Sequence, residues 1–165
     1  DPLVASGKPL ILAQEGVAVG IGANLLLHAD LAYAGNSIRY SLPFAKIGVA
    51  AEGASSVMLK EAIGAKNAAD LLFTGRFFKA AEAEKWGLIN AAVEDGTALD
   101  HAMKAAQALL KNSQDALRAI KQLGKAEGHR ERVNAAVEAE MVAFSALLQT
   151  PETQMRINHV LKGCK

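Results

Sequence analysis

The sequence predicts an α/β domain that passes into a purely helical C-terminal part, and three observations carry that expectation. Short apolar runs punctuated by glycine, such as Leu10-Ile11-Leu12-Ala13 and Leu31-Ala32-Tyr33-Ala34, fill residues 1–94. From Leu99 onward only helices are read, and in the longest of them, Arg130 to Gln149, Val133, Val137, Met141, Phe144 and Leu148 recur at steps of three and four, which predicts one continuous apolar face. Between strand-like and helix-like segments lies Glu15-Gly16-Val17-Ala18-Val19-Gly20-Ile21-Gly22-Ala23-Asn24, a glycine-rich junction. The organisation is thus an α/β part over 1–94 and a helical part over 95–165, without internal repeat or low-complexity tract.

Strands are predicted at Leu10 to Gln14, Leu31 to Ala34, Ile38 to Ser41 and Leu88 to Val93. Helices are predicted over Gly22 to His28, Gly53 to Ile63 and Lys66 to Phe73, with Gly64, Gly75 and Gly87 as stops and turns. The C-terminal helices run over Leu99 to Leu110, Gln114 to Lys125, Arg130 to Gln149 and Pro151 to Leu161. Ser113 caps the second, and Thr150-Pro151-Glu152 supplies a cap, a first-turn proline and an early acid for the last. The apolar stretch Val17 to Leu27 is assigned to the core, being too short to span a bilayer.

The glycine junction is the first candidate site. Closely spaced glycines let backbone approach a ligand with no Cβ in the way, and the first turn of the following helix offers N–H groups that lack intrahelical partners. An anion suits that geometry, whether a phosphate or the enolate oxygen of an activated thioester. A dinucleotide fingerprint is disfavoured: its third glycine is replaced by Leu25, and Ser37 to Lys46 holds no acid for a ribose. Close strand–helix packing would also explain the glycines.

Beyond the junction, the chain resembles the enoyl-CoA hydratase/isomerase (crotonase) superfamily. The resemblance rests on Lys8-Pro9, Gly16-x-Ala18-x-Gly20-x-Gly22, Asp30-Leu31-Ala32-Tyr33-Ala34, Leu42-Pro43-Phe44, Gly48 and Glu52-Gly53-Ala54-Ser55-Ser56. It continues through Leu72-Phe73-Thr74-Gly75-Arg76, Glu82-Ala83 and Trp86-Gly87-Leu88-Ile89-Asn90. It implies the C-terminal part of a crotonase-like α/β spiral, followed by helices that form trimer contacts and help enclose an acyl-CoA. Full members also carry a substantial portion ahead of Lys8-Pro9, with one of two oxyanion-hole N–H groups. The other maps to the backbone N–H of Ile21.

Departures from the family pattern are as informative as the matches. In hydratases of the family two catalytic glutamates occupy the positions of Asn24 and Phe44, and neither acid is present here. Hydration needs groups that activate water and deliver a proton, which Phe44 cannot do. Glu52 remains, and it stands where delta-3,delta-2-enoyl-CoA isomerases carry their single acid/base. The resemblance therefore implies an isomerase that shifts a 3-enoyl-CoA double bond to the 2-position, with Glu52 as proton carrier and the Ile21 N–H at the enolate oxygen. Gly20, Gly22, Asn24 and Phe44 are the implied substrate-contacting positions, and Phe44, Val49, Val57 and Met58 are candidate lining for an acyl pocket. A purely structural role would place Glu52 in the first turn of the Gly53 to Ile63 helix, stabilising its dipole by roughly 0.3–1 kcal/mol. The same residues are compatible with a non-catalytic acyl-CoA-binding or oligomerisation module, and with a hydratase or hydrolase reaction on the same scaffold.

The remaining composition limits the range of functions. The 165 residues are 51% hydrophobic and 21% charged, with a formal net charge of +1, an ordinary globular balance that points away from nucleic acid. In the Arg130 to Gln149 helix, Glu131, Glu138 and Glu140 are expected to offset Arg130 and Arg132. Single Cys164 offers no intrachain disulfide. His28, His101, His129 and His159 lack ligand spacing, so no metal is assigned; His28 is expected to be partly packed and the rest at the surface. No cofactor is expected besides the coenzyme A thioester substrate itself, and no membrane association. The expected assembly is a homotrimer or a dimer of trimers. Neither a secretory signal nor a Ser-Lys-Leu ending is read; the expected compartment is the cytoplasm in a bacterium, or a mitochondrion or peroxisome in a eukaryote.

Overall fold

Apolar strand runs must be covered on at least one face, and the chain arranges them as two small sheets with helices around them. The computed structural model describes residues 6–125 and 127–163; Cys164 lies outside the described residues. One sheet joins β1 (Ile11–Gln14), β3 (Leu31–Gly35) and β6 (Ala91–Val93), all parallel, with Ile11 opposite Leu31 and Tyr33 opposite Ala91. The second sheet joins β2 (Val17–Val19), β4 (Arg39–Ser41) and β5 (Phe77–Lys79). In it β2 runs parallel to β4, with Val17 opposite Arg39, and β5 is antiparallel, with Arg39 opposite Lys79.

Helices connect and cover the strands. They are α1 (Ile21–His28), α2 (Phe44–Ile47), α3 (Ser55–Ile63), α4 (Ala65–Thr74) and α5 (Ala80–Lys85), then α6 (Ala98–Leu110), α7 (Gln114–Leu123), α8 (His129–Leu148) and α9 (Pro151–Gly163). The main core gathers Leu26, Ile38, Tyr40, Leu42, Leu71 and Phe78, with the Tyr40 and Phe78 rings stacked at 5.1 Å. A smaller cluster of Ala54, Val133 and Ala136 seats α8 on the start of α3. Carboxylates distant in sequence cap two of the helices. Glu15 Oε1 accepts the Gly96 and Ala98 N–H groups at 3.0 and 3.1 Å at the head of α6, and Glu140 serves α3. Ser113 Oγ accepts the Ala116 N–H at 3.3 Å, the cap expected for α7.

Several expectations are corrected. β2, α2, β5 and α5 escape a reading by periodicity because each is three to six residues long, too short for a repeat to establish itself. The last strand begins at Ala91 rather than Leu88, since Leu88 and Ile89 are buried outside the sheet. Val17 to Leu27 is not uniformly core: Val17, Val19 and Ile21 are exposed, because β2 lies at a sheet edge and buries only Ala18. The α8 face is interrupted as well. Val133 is buried, but Met141 is 60% exposed, and buried Glu140 stands among these apolar positions instead of offsetting surface arginines. His129 is half-buried rather than on the surface, and burial together with the nearby Arg132 and Lys125 charges pushes its pKa below the usual value. Among the described residues, no helix is long and apolar enough to cross a membrane.

Candidate functional site

The end of β2 and the segment running from Phe44 to Ser56 converge through backbone geometry that only glycine tolerates. Gly20 adopts φ 58° and ψ −122°, and its N–H donates to the Ser41 carbonyl at 3.0 Å, which ties the end of β2 to the end of β4. A Cβ at Gly20 would lie 3.3 Å from Glu52 Oε1 and 3.9 Å from Phe44 Cε1. Gly20 thus presents bare backbone to the Glu52 carboxylate and the edge of the Phe44 ring. The next residue opens α1, and the Ile21 N–H has no acceptor among the described residues.

Glu52 is held by its own carbonyl rather than by its carboxylate. That carbonyl accepts the Asn24 amide Nδ2 at 2.7 Å, the Ser55 hydroxyl at 2.7 Å and the Ser55 N–H at 3.2 Å. Asn24 is 1% exposed, and its Oδ1 is buried without a partner. Among the described residues nothing donates a hydrogen bond to the half-buried Glu52 carboxylate, so it is available to a proton from outside the protein.

A helix-capping role for Glu52 fails on geometry. Gly53 and Ala54 both have left-handed backbone, with φ of 67° and 61°, so α3 starts at Ser55 and Glu52 stays outside it. Ala54 is the one non-glycine residue with positive φ among the described residues. The helix N-terminus is served instead by Glu140 from α8, whose Oε2 accepts the Ala54 N–H at 2.7 Å and whose Oε1 accepts the Ser56 N–H at 2.9 Å. Such a charge-assisted cap stabilises by about 0.5–2 kcal/mol. Nothing in the sequence marks Glu140, because its partners lie 84 and 86 residues away.

Two cavities flank this segment. One of about 220 Å³ is lined by Glu52, Gly53, Val137, Glu140, Met141 and Phe144. A larger apolar one, about 390 Å³, is bounded by Phe44, Val49, Ala51, Ala68, Leu72 and Phe73. Of the expected pocket lining, Phe44 and Val49 therefore border the larger cavity, whereas Val57 and Met58 pack against the small core under α8. Glu52, Gly20, Asn24, Phe44 and the Ile21 N–H are brought together. Gly22 is turned away: a Cβ there would meet Ala18 at 3.8 Å, and its carbonyl accepts the Gln14 amide at 2.7 Å, so this glycine serves strand–helix packing. His28 is packed as expected, its Nε2 2.9 Å from the Gly53 carbonyl.

A family model described as enoyl-CoA hydratase/isomerase matches residues 1–162. Among curated proteins, the enoyl-CoA hydratase EchA19 of Mycobacterium tuberculosis is 42% identical over 113 residues, covering 68% of this chain and 42% of that protein. The structure of Pseudomonas aeruginosa OdaA superposes with a TM-score of 0.90 at 39% identity, over 96% of this chain and 64% of that one. An enoyl-CoA hydratase/isomerase from Pseudoalteromonas atlantica T6c gives a TM-score of 0.91 at 30% identity, over 98% of this chain and 64% of that one. The chain spans less than half the length of this curated relative and about two thirds of these solved structures.

Proposed function

This chain belongs to the enoyl-CoA hydratase/isomerase family with a crotonase-like α/β fold, and we propose that its parent protein moves the double bond of a 3-enoyl-CoA to the 2-position through Glu52 alone. The observation that carries the reading is the Glu52 carboxylate, free of donors among the described residues and facing the bare backbone of Gly20, with Phe44 standing where the hydratase pattern carries an acid. In this reading the thioester oxygen sits at the Ile21 N–H. Glu52 removes a proton from C2, and the C2–H electrons form a dienolate whose negative charge rests on that oxygen. As the carbonyl re-forms, the double bond moves to C2–C3 and C4 takes the proton back from Glu52. The same carboxyl group serves both steps, so no net proton, electron or cofactor is consumed. The apolar cavity beside Phe44 suits the acyl tail.

A second reading is hydration or dehydration of an acyl-CoA, favoured by the hydratase name of EchA19. The two separate in one assay on the full-length protein. Glu52→Gln keeps the shape and removes the proton transfer, so double-bond shift should fall by at least about 10²-fold while acyl-CoA binding persists. Retained turnover would place the acid elsewhere. Hydration of a 2-enoyl-CoA by the unaltered protein as fast as the double-bond shift would establish the hydratase reading instead.

A further inference from the structure

The segment that carries Glu52, residues 48–56, is fastened at both ends by the C-terminal helical pair α8–α9, through two buried polar side chains. At its start, Thr153 of α9 is 1% exposed and its Oγ1 donates to the Gly48 carbonyl at 2.7 Å. Gly48 has φ 82°, and a Cβ there would come within 2.7 Å of Thr153 Oγ1, so the close approach requires glycine. At its end, Glu140 of α8 is 6% exposed and takes the Ala54 and Ser56 N–H groups. An exposed pair, Arg132 Nη1 to Glu61 Oε1 at 2.7 Å, ties α8 to the outer side of α3 as well. Glu52 lies between the two buried attachments, four residues after Gly48 and two before Ala54.

We propose that Glu140 and Thr153 are positioning residues that set where the Glu52 carboxylate stands, an inference that rests on Glu52 being the proton carrier. Neither is a proton carrier itself: both Glu140 oxygens are engaged by backbone N–H groups, and the Thr153 hydroxyl is spent on the Gly48 carbonyl. The left-handed pair Gly53-Ala54 explains why an outside attachment is needed. Two such residues in succession are a costly arrangement for an L-residue at the second, and the Glu140 carboxylate is the group that satisfies the N–H donors this turn directs toward α8. Were the attachment loosened, Glu52 would keep its chemistry and lose its place.

The test uses the full-length protein with Glu140→Gln, Thr153→Val, Thr153→Ser and Glu52→Gln. Each is assayed for kcat and KM in the double-bond shift and for amide hydrogen exchange. Gln at 140 retains shape but puts an NH2 group against a backbone N–H; Val at 153 retains shape and loses the hydroxyl. Both should lower kcat by about 10–10²-fold with KM within about twofold, and should speed exchange over residues 48–58 only. Thr153→Ser should restore kcat. Unchanged kcat in Glu140→Gln and Thr153→Val would overturn the proposal, as would faster exchange spread over the whole chain. Glu52→Gln separates the premise from the inference: full turnover there removes Glu52 as the carrier, whereas inactive Glu52→Gln beside fully active Glu140→Gln removes only the positioning role.

Discussion

Gly20→Ala should damage activity more than stability, and the structure allows both effects to be sized. The backbone at φ 58°, ψ −122° lies outside what alanine adopts without strain, at a cost of about 1–3 kcal/mol. For a chain of this length that lowers Tm by about 2–12 °C. The added methyl would stand 3.3 Å from Glu52 Oε1, so the carboxylate must move by a few tenths of an ångström, in the space a thioester C2 would need. Displacement on that scale at a reacting group, together with the occluded space, should reduce kcat by about 10²-fold. Gly64→Ala supplies the control. Gly64 has φ 82° and ψ 154°, is comparably inaccessible to alanine, and lies at the far end of α3 with nothing within 4 Å of its would-be Cβ. It should lose similar stability and keep kcat. Thermal melts and steady-state kinetics on the full-length protein decide the case: wild-type kcat in Gly20→Ala, or equal losses of kcat in both variants, would refute the geometric argument.

Phe44→Glu should not produce a hydratase, because buried Asn24 holds the Glu52 carbonyl where the second acid would stand; hydration should remain about 10²-fold slower than double-bond shift in a coupled spectrophotometric assay. His129 titrates below its usual 6.5, first through burial and then through the Arg132 and Lys125 charges, so the folded state resists protonation more than the unfolded chain does. Its contribution to stability is complete above about pH 6.5 and is lost as pH falls through the folded value, and His129→Gln should flatten that part of a Tm-against-pH curve. Met141, Val142, Met155 and Leu161 are exposed at 60%, 73%, 69% and 63%, and we expect the full-length protein to bury them in a homotrimer or a dimer of trimers. A stable monomer in sedimentation at micromolar concentration would contradict this.

The candidate site is legible at the level of single residues. Gly20, Asn24, Phe44 and Glu52 each sit in a short marker segment, and the structure gathers all four. The helix α8 is legible from periodicity, although buried Glu140 interrupts its apolar face. What stays hidden depends on conformation or distance. Alanine gives no sign of a left-handed backbone, so the sequence pattern starts α3 at Gly53 and puts Glu52 on its first turn. Glu140 resembles any acid on a charged helix until its partners, 84 and 86 residues upstream, are located. Gly22 matches the marker motif yet packs toward Ala18, since a glycine pattern does not say which member lies beside Glu52.

The cap on α3 also has a consequence for the order in which the molecule matures. Ala54 is made 86 residues before the carboxylate that fixes it, an interval of about 4–17 s at a synthesis rate of about 5–20 residues per second. Throughout that interval the loop bearing Glu52 lacks its anchor, however early the parallel strands beside it have paired. If Glu52 is the proton carrier as proposed, its turn gains this anchor only once α8 has docked. Pulse-labelled exchange during refolding should accordingly show the amides of Ala54 and Ser56 gaining protection after those of β1 and β3; earlier protection would mean that the turn forms without its distant carboxylate.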